Sequence, residues 1–327
     1  MTGPHPAVAA IRLATRTTLA TIAHQHPNTI ILVACSGGPD SLALAAATAF
    51  EAPRLGLHPG AVIIDHALQP NSHTITHSAA TTCTNLGLHP VITQRVDTTT
   101  YPNTGPEAAA RAARYTAFET AATSTNASAI LLAHTQHDQA EQVLLGLLRG
   151  SGARSLAGMP PHRDLYHRPL LNTPAHLTHD ACAALNLTPW HDPHNTDPRY
   201  TRVRTRELLN TIATELGPGI IPGLARTAEL LRTDADTLDT IATHEATELG
   251  PPPWDTQKIA ELLPGIRRRV WRQLATTIGA PHGALTSTHV NQLDALITNW
   301  HGQGGVHLPG GHVITRTGTR VGPVTKP

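Results

Sequence analysis

Residues 29–50, TIILVACSGGPDSLALAAATAF, leave little freedom to the fold around them. The apolar and β-branched run from Ile30 to Ala34 has the composition of a strand buried on both faces. The small residues from Leu42 to Ala49 suit a helix lying close against a sheet. Between them stands Ser36-Gly37-Gly38-Pro39-Asp40-Ser41. Paired glycines reach backbone angles closed to other residues, so successive N–H groups can curl around an anion at a helix N-terminus, with the Ser36 and Ser41 hydroxyls as further donors. A Walker loop would close on a Lys-Ser/Thr pair, but the two lysines, Lys258 and Lys326, are far away. A plain Gly-Pro turn needs neither the two serines nor the aspartate. The segment therefore reads as a phosphate cradle of another kind.

The surrounding pattern predicts a helix over 7–25, with Val8, Ile11, Leu19 and Ile22 on one stripe, and a second strand ending at Asp65. Asn71 or Ser72 is placed to cap a helix running to about Leu86. A third strand is expected at 91–96, a helix at 105–123 that is rich in strong helix formers, a fourth strand at 129–133 and a helix at 136–149. Strands alternating with helices predict an α/β fold with a doubly wound parallel sheet, whose ligands bind beyond the strand carboxyl ends. Ser36, Asp65 and His134 fall at three such ends.

After Arg149-Gly150-Ser151-Gly152 a long loop to Leu171 is suited to a lid or substrate contact, followed by helices at 174–185 and 198–210 with turn chemistry at 192–197. Gly217-Pro218-Gly219 is a linker candidate, which places a catalytic domain at 1–217 and a smaller, mainly helical domain at 218–327. That second domain is expected to hold helices at 221–249, 254–278 with a break at Pro264-Gly265, and 288–300. It closes with a β-hairpin around Gly310-Gly311.

Aromatic residues make up only 3% of the chain, so the core must rest on Ala, Leu, Ile and Val. Cys35, Cys83 and Cys182 form no C-x-x-C pair, which argues against a disulfide framework or structural zinc and suits a reducing cytoplasm. No apolar run approaches a membrane span, and no membrane association is expected. The net charge of +1 hides two local concentrations, Arg199, Arg202, Arg204 and Arg206, and Arg267, Arg268, Arg269 and Arg272. Each is either a solvated helix face or a nucleic-acid contact.

On the expected helices, Glu107, Arg111 and Arg114 fall at i, i+4 and i+7, so both guanidinium groups can point one way. A surface ion pair would use the same spacing. His134, Asp138 and Glu141 share a face with His137 beside them. That face is open to three readings, a solvated surface, a zinc cluster or an acid–base site, and no further histidine motif completes a zinc site.

The loop Ser36–Ser41 resembles the SGGxDS loop of the PP-loop, or N-type, ATP pyrophosphatases, whose fold is the adenine nucleotide alpha hydrolase-like sheet. The ordered set extends the resemblance to the tRNA(Ile)-lysidine synthase family. It comprises Ser36–Ser41, Asp65-His66, Glu107 through Arg114-Tyr115, His134 through Glu141, Arg149–Gly152, Arg168-Pro169-Leu170, Asp192 through Arg206, and the hairpin at Leu308–Gly311. The resemblance implies an AMP-forming ligase that uses ATP and Mg²⁺. It adenylates the wobble cytidine of the CAU anticodon of tRNA(Ile), and free L-lysine then displaces AMP.

By the same resemblance ATP would lie on Ser36, Gly37, Gly38, Pro39, Asp40, Ser41, Asp65, His66 and His134. Catalysis would fall to Asp40, Arg111, Arg114, His137, Asp138 and Glu141, metal binding to Asp40 and Asp138, and tRNA binding to the two arginine groups. A homodimer stays among the options. This chain departs from the family pattern at Gln69, at His137 and Gln142 in the acidic motif, and at Val203 and Thr205 in the arginine run. The base and the metal ligand thus stay open among His137, Asp138 and Glu141. Two alternatives are a noncatalytic tRNA-binding homologue and another AMP-forming tRNA-modifying enzyme. Thiolating relatives use cysteine pairs, which this sequence lacks.

Overall fold

The computed structural model describes residues 3–65, 72–96, 106–192, 197, 199 and 201–324, the side chains of 106 and 107 excepted. His66, Gln69, Asn71, the turn at 193–196 and the Glu107 side chain therefore lie outside the described residues. The chain forms two compact units, Met1–Glu229 and Leu230–Pro327.

The first unit carries helices α1 (Pro6–Gln25), α2 (Pro39–Glu51), α3 (Ser72–Asn85), α4 (Pro106–Thr125), α5 (Gln136–Leu148), α6 (Ala153–Leu156), α7 (Ala175–Ala184) and α8 (Thr201–Leu216). Its strands are β1 (Ile30–Ala34), β2 (His58–Asp65), β3 (Val91–Arg95), β4 (Ala127–Leu131), β5 (His162–Arg163) and β6 (Tyr166–His167). They form one sheet in the order β3-β2-β1-β4-β6-β5, parallel except for β5 at the edge.

The central strand shows why the sheet is covered on both sides. Ile31, Leu32 and Val33 are all 0% exposed. Ile31 and Val33 join a core built with residues of α1, α2, α3 and α7, whereas Leu32 joins Phe118, Ala121 and Ala122 of α4 in another. Alternation along a strand thus feeds two apolar layers. The chain runs from β1 outward through β2 and β3, then returns to place β4 on the other side of β1. That reversal opens a crevice beyond the carboxyl ends of β1 and β4.

Strand β4 and the segment before Leu171 differ from expectation. Strand β4 begins two residues earlier, because Asn126 adopts a left-handed conformation (φ 54°) that ends α4 and starts the strand at once. The region read as a loop from Gly152 to Leu171 holds α6 and the β5–β6 pair, too short to show a period in sequence.

Gly217 (φ 103°) ends α8, and helix α9 (Ile220–Leu249) follows directly, so Gly217-Pro218-Gly219 serves as a turn between helices. The division between the two units falls inside α9, twelve residues beyond the boundary at 217.

The second unit contains β7 (Trp254–Asp255), α10 (Thr256–Glu261), α11 (Pro264–Thr277), α12 (Ser287–Thr298), β8 (Val306–Leu308), β9 (His312–Thr317) and β10 (Arg320–Pro323). Pro264 occupies the first turn of α11, where its missing N–H costs nothing, so it starts a helix. The hairpin pairs Leu308 with His312 as expected, and β10 and β7 extend it to an antiparallel sheet of order β7-β10-β9-β8. Trp254 and Trp271 meet edge-on, centroids 6.4 Å apart, in a core with Leu293 and Ile314. Among the described residues no helix is long and apolar enough to cross a membrane.

Candidate active site

The cradle occupies the turn from β1 into α2. Gly37 takes φ 84°, and a Cβ there would touch Ala79 Cβ at 3.4 Å, so the tight turn calls for glycine. Gly38 precedes α2, Pro39 opens it, and Asp40 lies in its first turn. The Ser36 N–H donates to Ser41 Oγ at 3.2 Å, while the Ser41 hydroxyl donates to the Gly38 carbonyl at 3.0 Å. The loop is thus braced by its own serines, leaving the exposed Ser36 side chain at its mouth.

Helix α7 and the chain after it clasp this loop. The Thr178 hydroxyl makes a short hydrogen bond to the Asp40 carboxylate, the Cys182 thiol donates to the Pro39 carbonyl at 3.4 Å, and the Trp190 N–H donates to the Gly37 carbonyl at 2.9 Å. Thr178 and Cys182 are one helical turn apart, so both reach the same neighbour. Burial raises the Asp40 pKa, opposed by the Thr178 hydrogen bond and reinforced by the charge of Asp138.

Beyond β4 the chain passes through His134 and Thr135 into α5. The Asp138 carboxylate accepts from the Thr135 N–H (2.8 Å) and hydroxyl (3.0 Å), which fixes one of its oxygens and turns the other toward Arg206 Nη2 at 3.6 Å. Glu141, with only 3% of its side chain exposed, accepts from Arg206 Nε at 2.5 Å. Burial raises the Glu141 pKa, and Arg206 opposes the shift. His137 is pushed down by burial, and its Nδ1 accepts from the Ala175 N–H at 3.4 Å. Gln139 exchanges two hydrogen bonds with the Met159 backbone, and a Cβ on Gly158 would sit 2.6 Å from Gln139 Oε1. That contact ties α5 to the segment leading into β5.

A cationic group lies near His134. Arg111 donates to the Tyr115 hydroxyl at 3.2 Å and lies 4.9 Å from its ring centroid. Desolvation, then the charges of Arg111 and, further down the order, Arg202, disfavour the charge on Arg114. The His134 pKa falls to about 4, through burial first, with Arg168, Arg202 and Arg111 adding to the shift and Asp138 opposing it. His134 is therefore neutral at physiological pH.

The crevice brings together Asp40, His134, Asp138, Glu141, Arg111 and Arg206, all singled out in sequence. Asp65, 5% exposed, ends β2 two strands from β4 and forms part of the same edge. The arginine groups need correction. Arg206 is engaged with Glu141 and Asp138 inside the crevice, so its partners are acids of the site. Arg267 is 7% exposed and held by Asp294 (2.6 Å) and the Leu262 carbonyl, Arg269 pairs with Asp239, and Arg272 donates to the Leu285 carbonyl. These three brace the second unit, leaving Arg268 as the exposed member of that run. Arg199 pairs with Asp197, Arg204 is exposed, and Arg202 is half-buried. Thr178, Cys182, Trp190 and Gln139 carried no signal of their own in sequence, because each acts through a partner distant in the chain.

Mg²⁺ takes hard oxygen ligands, commonly one or two carboxylates together with substrate phosphates. Asp40 and Asp138 supply that donor set, and the repulsion between them is of the kind a cation relieves. Among the described residues no group of three or more His, Cys, Asp or Glu side chains forms a metal cage.

A family model for the PP-loop domain matches residues 12–212. The chain is 50% identical over 313 residues to a tRNA(Ile)-lysidine synthase of Thermobifida fusca, covering 95% of each chain. It is 48% identical over 323 residues to a tRNA(Ile)-lysidine synthase of Salinispora arenicola, covering 97% of this chain and 96% of the relative. Among solved structures, the U34-tRNA thiolase NcsA from Methanococcus maripaludis with its 4Fe-4S cluster superposes with a TM-score of 0.57 at 16% identity. It covers 69% of this chain and 80% of that one, a likeness of fold.

Proposed function

The chain belongs to the tRNA(Ile)-lysidine synthase family, and from that premise we propose how its residues carry out ATP-dependent lysidine formation on tRNA(Ile). The reading is supported most by the convergence of the cradle, Asp138 and Arg206 at the β1–β4 crevice. The target is the wobble cytidine of a CAU anticodon, whose base is unstacked cheaply because it lies in a loop. Its 2-carbonyl oxygen is a poor leaving group until AMP is attached.

The Ser36–Ser41 backbone and hydroxyls receive the pyrophosphate half of ATP at the N-terminus of α2. Mg²⁺, when bound to Asp40 and Asp138, supplies positive charge for the departing pyrophosphate. Arg111 and Arg114 face the charge that develops at the α-phosphorus, where one such donor is typically worth about 3–4 kcal/mol. Neutral His134 contributes a hydrogen bond.

The ε-amine of free L-lysine attacks after losing a proton. Glu141 is the acceptor we assign, since burial raises its pKa, Asp138 is taken up with the metal and the Nδ1 of His137 already accepts from Ala175. Glu141 and Arg206 shape the amine's pocket. Exposed Arg199, Arg204 and Arg268, with Arg202, contact tRNA phosphates. The reaction belongs to the cytoplasm, where its substrates are.

ATP–pyrophosphate exchange with and without CAU-anticodon tRNA(Ile) tests the reading. Exchange that depends on the tRNA is expected. tRNA binding with no exchange and no AMP release would favour a noncatalytic homologue.

A further inference from the structure

Arg168 follows β6 directly, at the same sheet edge as His134. Strands β4 and β6 run parallel, Leu131 pairs with His167, and the Leu132 N–H donates to the His167 carbonyl at 2.8 Å. The arginine side chain is drawn inward, leaving the residue 7% exposed. Nη1 donates to the Pro160 carbonyl at 2.9 Å, and the Arg168 N–H donates to the Pro161 carbonyl at 2.8 Å. The Tyr115 phenol is a further partner, and that ring is wedged edge-on against Tyr166, centroids 4.9 Å apart. Among the described residues, buried Nε has no partner.

A buried guanidinium ordinarily stands against a carboxylate. Among the described residues none stands against Arg168; Arg111 and Arg163 bear on it with charge of the same sign. His134, at the end of the adjacent strand, also has a buried Nδ1 without a partner among the described residues. Arg111 is held over the Tyr115 ring, which places a second guanidinium on the tyrosine that holds Arg168. Two buried nitrogens without partners among the described residues, at neighbouring strand ends, beside the Arg111 guanidinium and fixed by backbone carbonyls and packed rings, make a preorganised place for an oxyanion.

We propose that Arg168, His134 and Arg111 form a phosphate subsite at the carboxyl ends of β4 and β6, separate from the Ser36–Ser41 cradle. It rests on the nucleotide- and tRNA-binding reading above. The phosphate has two sources in that reaction, the α-phosphate of ATP and the RNA backbone beside the wobble nucleotide. In either case Arg168 holds one substrate against the other across β4.

The test uses the full chain carrying Arg168→Lys or Arg168→Gln, with equilibrium binding of Mg²⁺·α,β-methylene-ATP and of a CAU anticodon stem-loop RNA, beside thermal unfolding. The lysine keeps the charge and the reach to Pro160 but removes Nε. Folded variants should lose about tenfold or more in affinity for one ligand. A loss confined to the nucleotide assigns the α-phosphate. One confined to the RNA, with the salt slope lower by about one unit, assigns the backbone. A folded Arg168→Lys protein binding both ligands as wild type does would overturn the subsite. Unfolding of both variants would also contradict it, by making the guanidinium a structural clasp. If wild type bound neither ligand, the functional reading would fail and the subsite with it.

Discussion

Thr178 and Asp40 make the most economical link between the fold and the chemistry, since one hydroxyl 0% exposed sets the carboxylate of the cradle. Hydrogen bonds to a charged group contribute about 1.5–3 kcal/mol. Thr178→Val should therefore raise the KM for ATP roughly tenfold in an AMP-release assay, and Thr178→Ser should restore it. Arg206 and Glu141 separate stability from chemistry. Arg206→Met leaves a buried carboxylate without its cation, costing about 2–4 kcal/mol in denaturant unfolding. Adding Glu141→Met should recover most of that stability without recovering turnover. A third residue sets an acid limit. Glu51, 1% exposed, takes two hydrogen bonds from Arg16, which lower its pKa. A depressed carboxylate stabilises the folded state above its unfolded pKa, about 4.3, and loses that contribution as pH falls through the folded value. Glu51→Gln should cost about 1.5–3 kcal/mol at pH 7. In unfolding curves taken at several pH values the gap from wild type should close below pH 4.

At the scale of elements, much of the first unit was legible in sequence. The continuous apolar run at Ile30–Ala34 marks a buried strand and the spacing in α5 an amphipathic helix, and Asp40, His134 and Asp138 follow from their ends. The small strands β6 and β7 were not legible, because two residues have no period and their place in a sheet is set by pairing with distant β4 and β10. The arginine groups misled for a related reason. Sequence spacing gives the face of a helix but not what packs on it, so buried Arg267 and exposed Arg268 look alike. Helix α8 shows the consequence. Arg202→Gln with Arg204→Gln should lower the slope of log tRNA affinity against log salt by about one to two units. Arg267→Met should instead lower the stability of the second unit, measured by thermal unfolding, and leave the salt slope unchanged.

For the whole molecule, a net charge of +1 supplies almost no long-range attraction to RNA, so affinity must come from local groups such as the exposed face of α8. Binding alone would not make lysidine. If the β1–β4 crevice joins lysine to a nucleoside, mass analysis of the nucleosides of CAU-anticodon tRNA(Ile) reveals it. After incubation with the protein, ATP, Mg²⁺ and lysine, the wobble cytidine should carry lysine. The product should be absent without ATP and with Asp40→Ala, a variant expected to bind tRNA nearly as wild type does. Unmodified cytidine from a protein that binds the tRNA, or sulfur in the product, would rule out lysidine formation in this crevice.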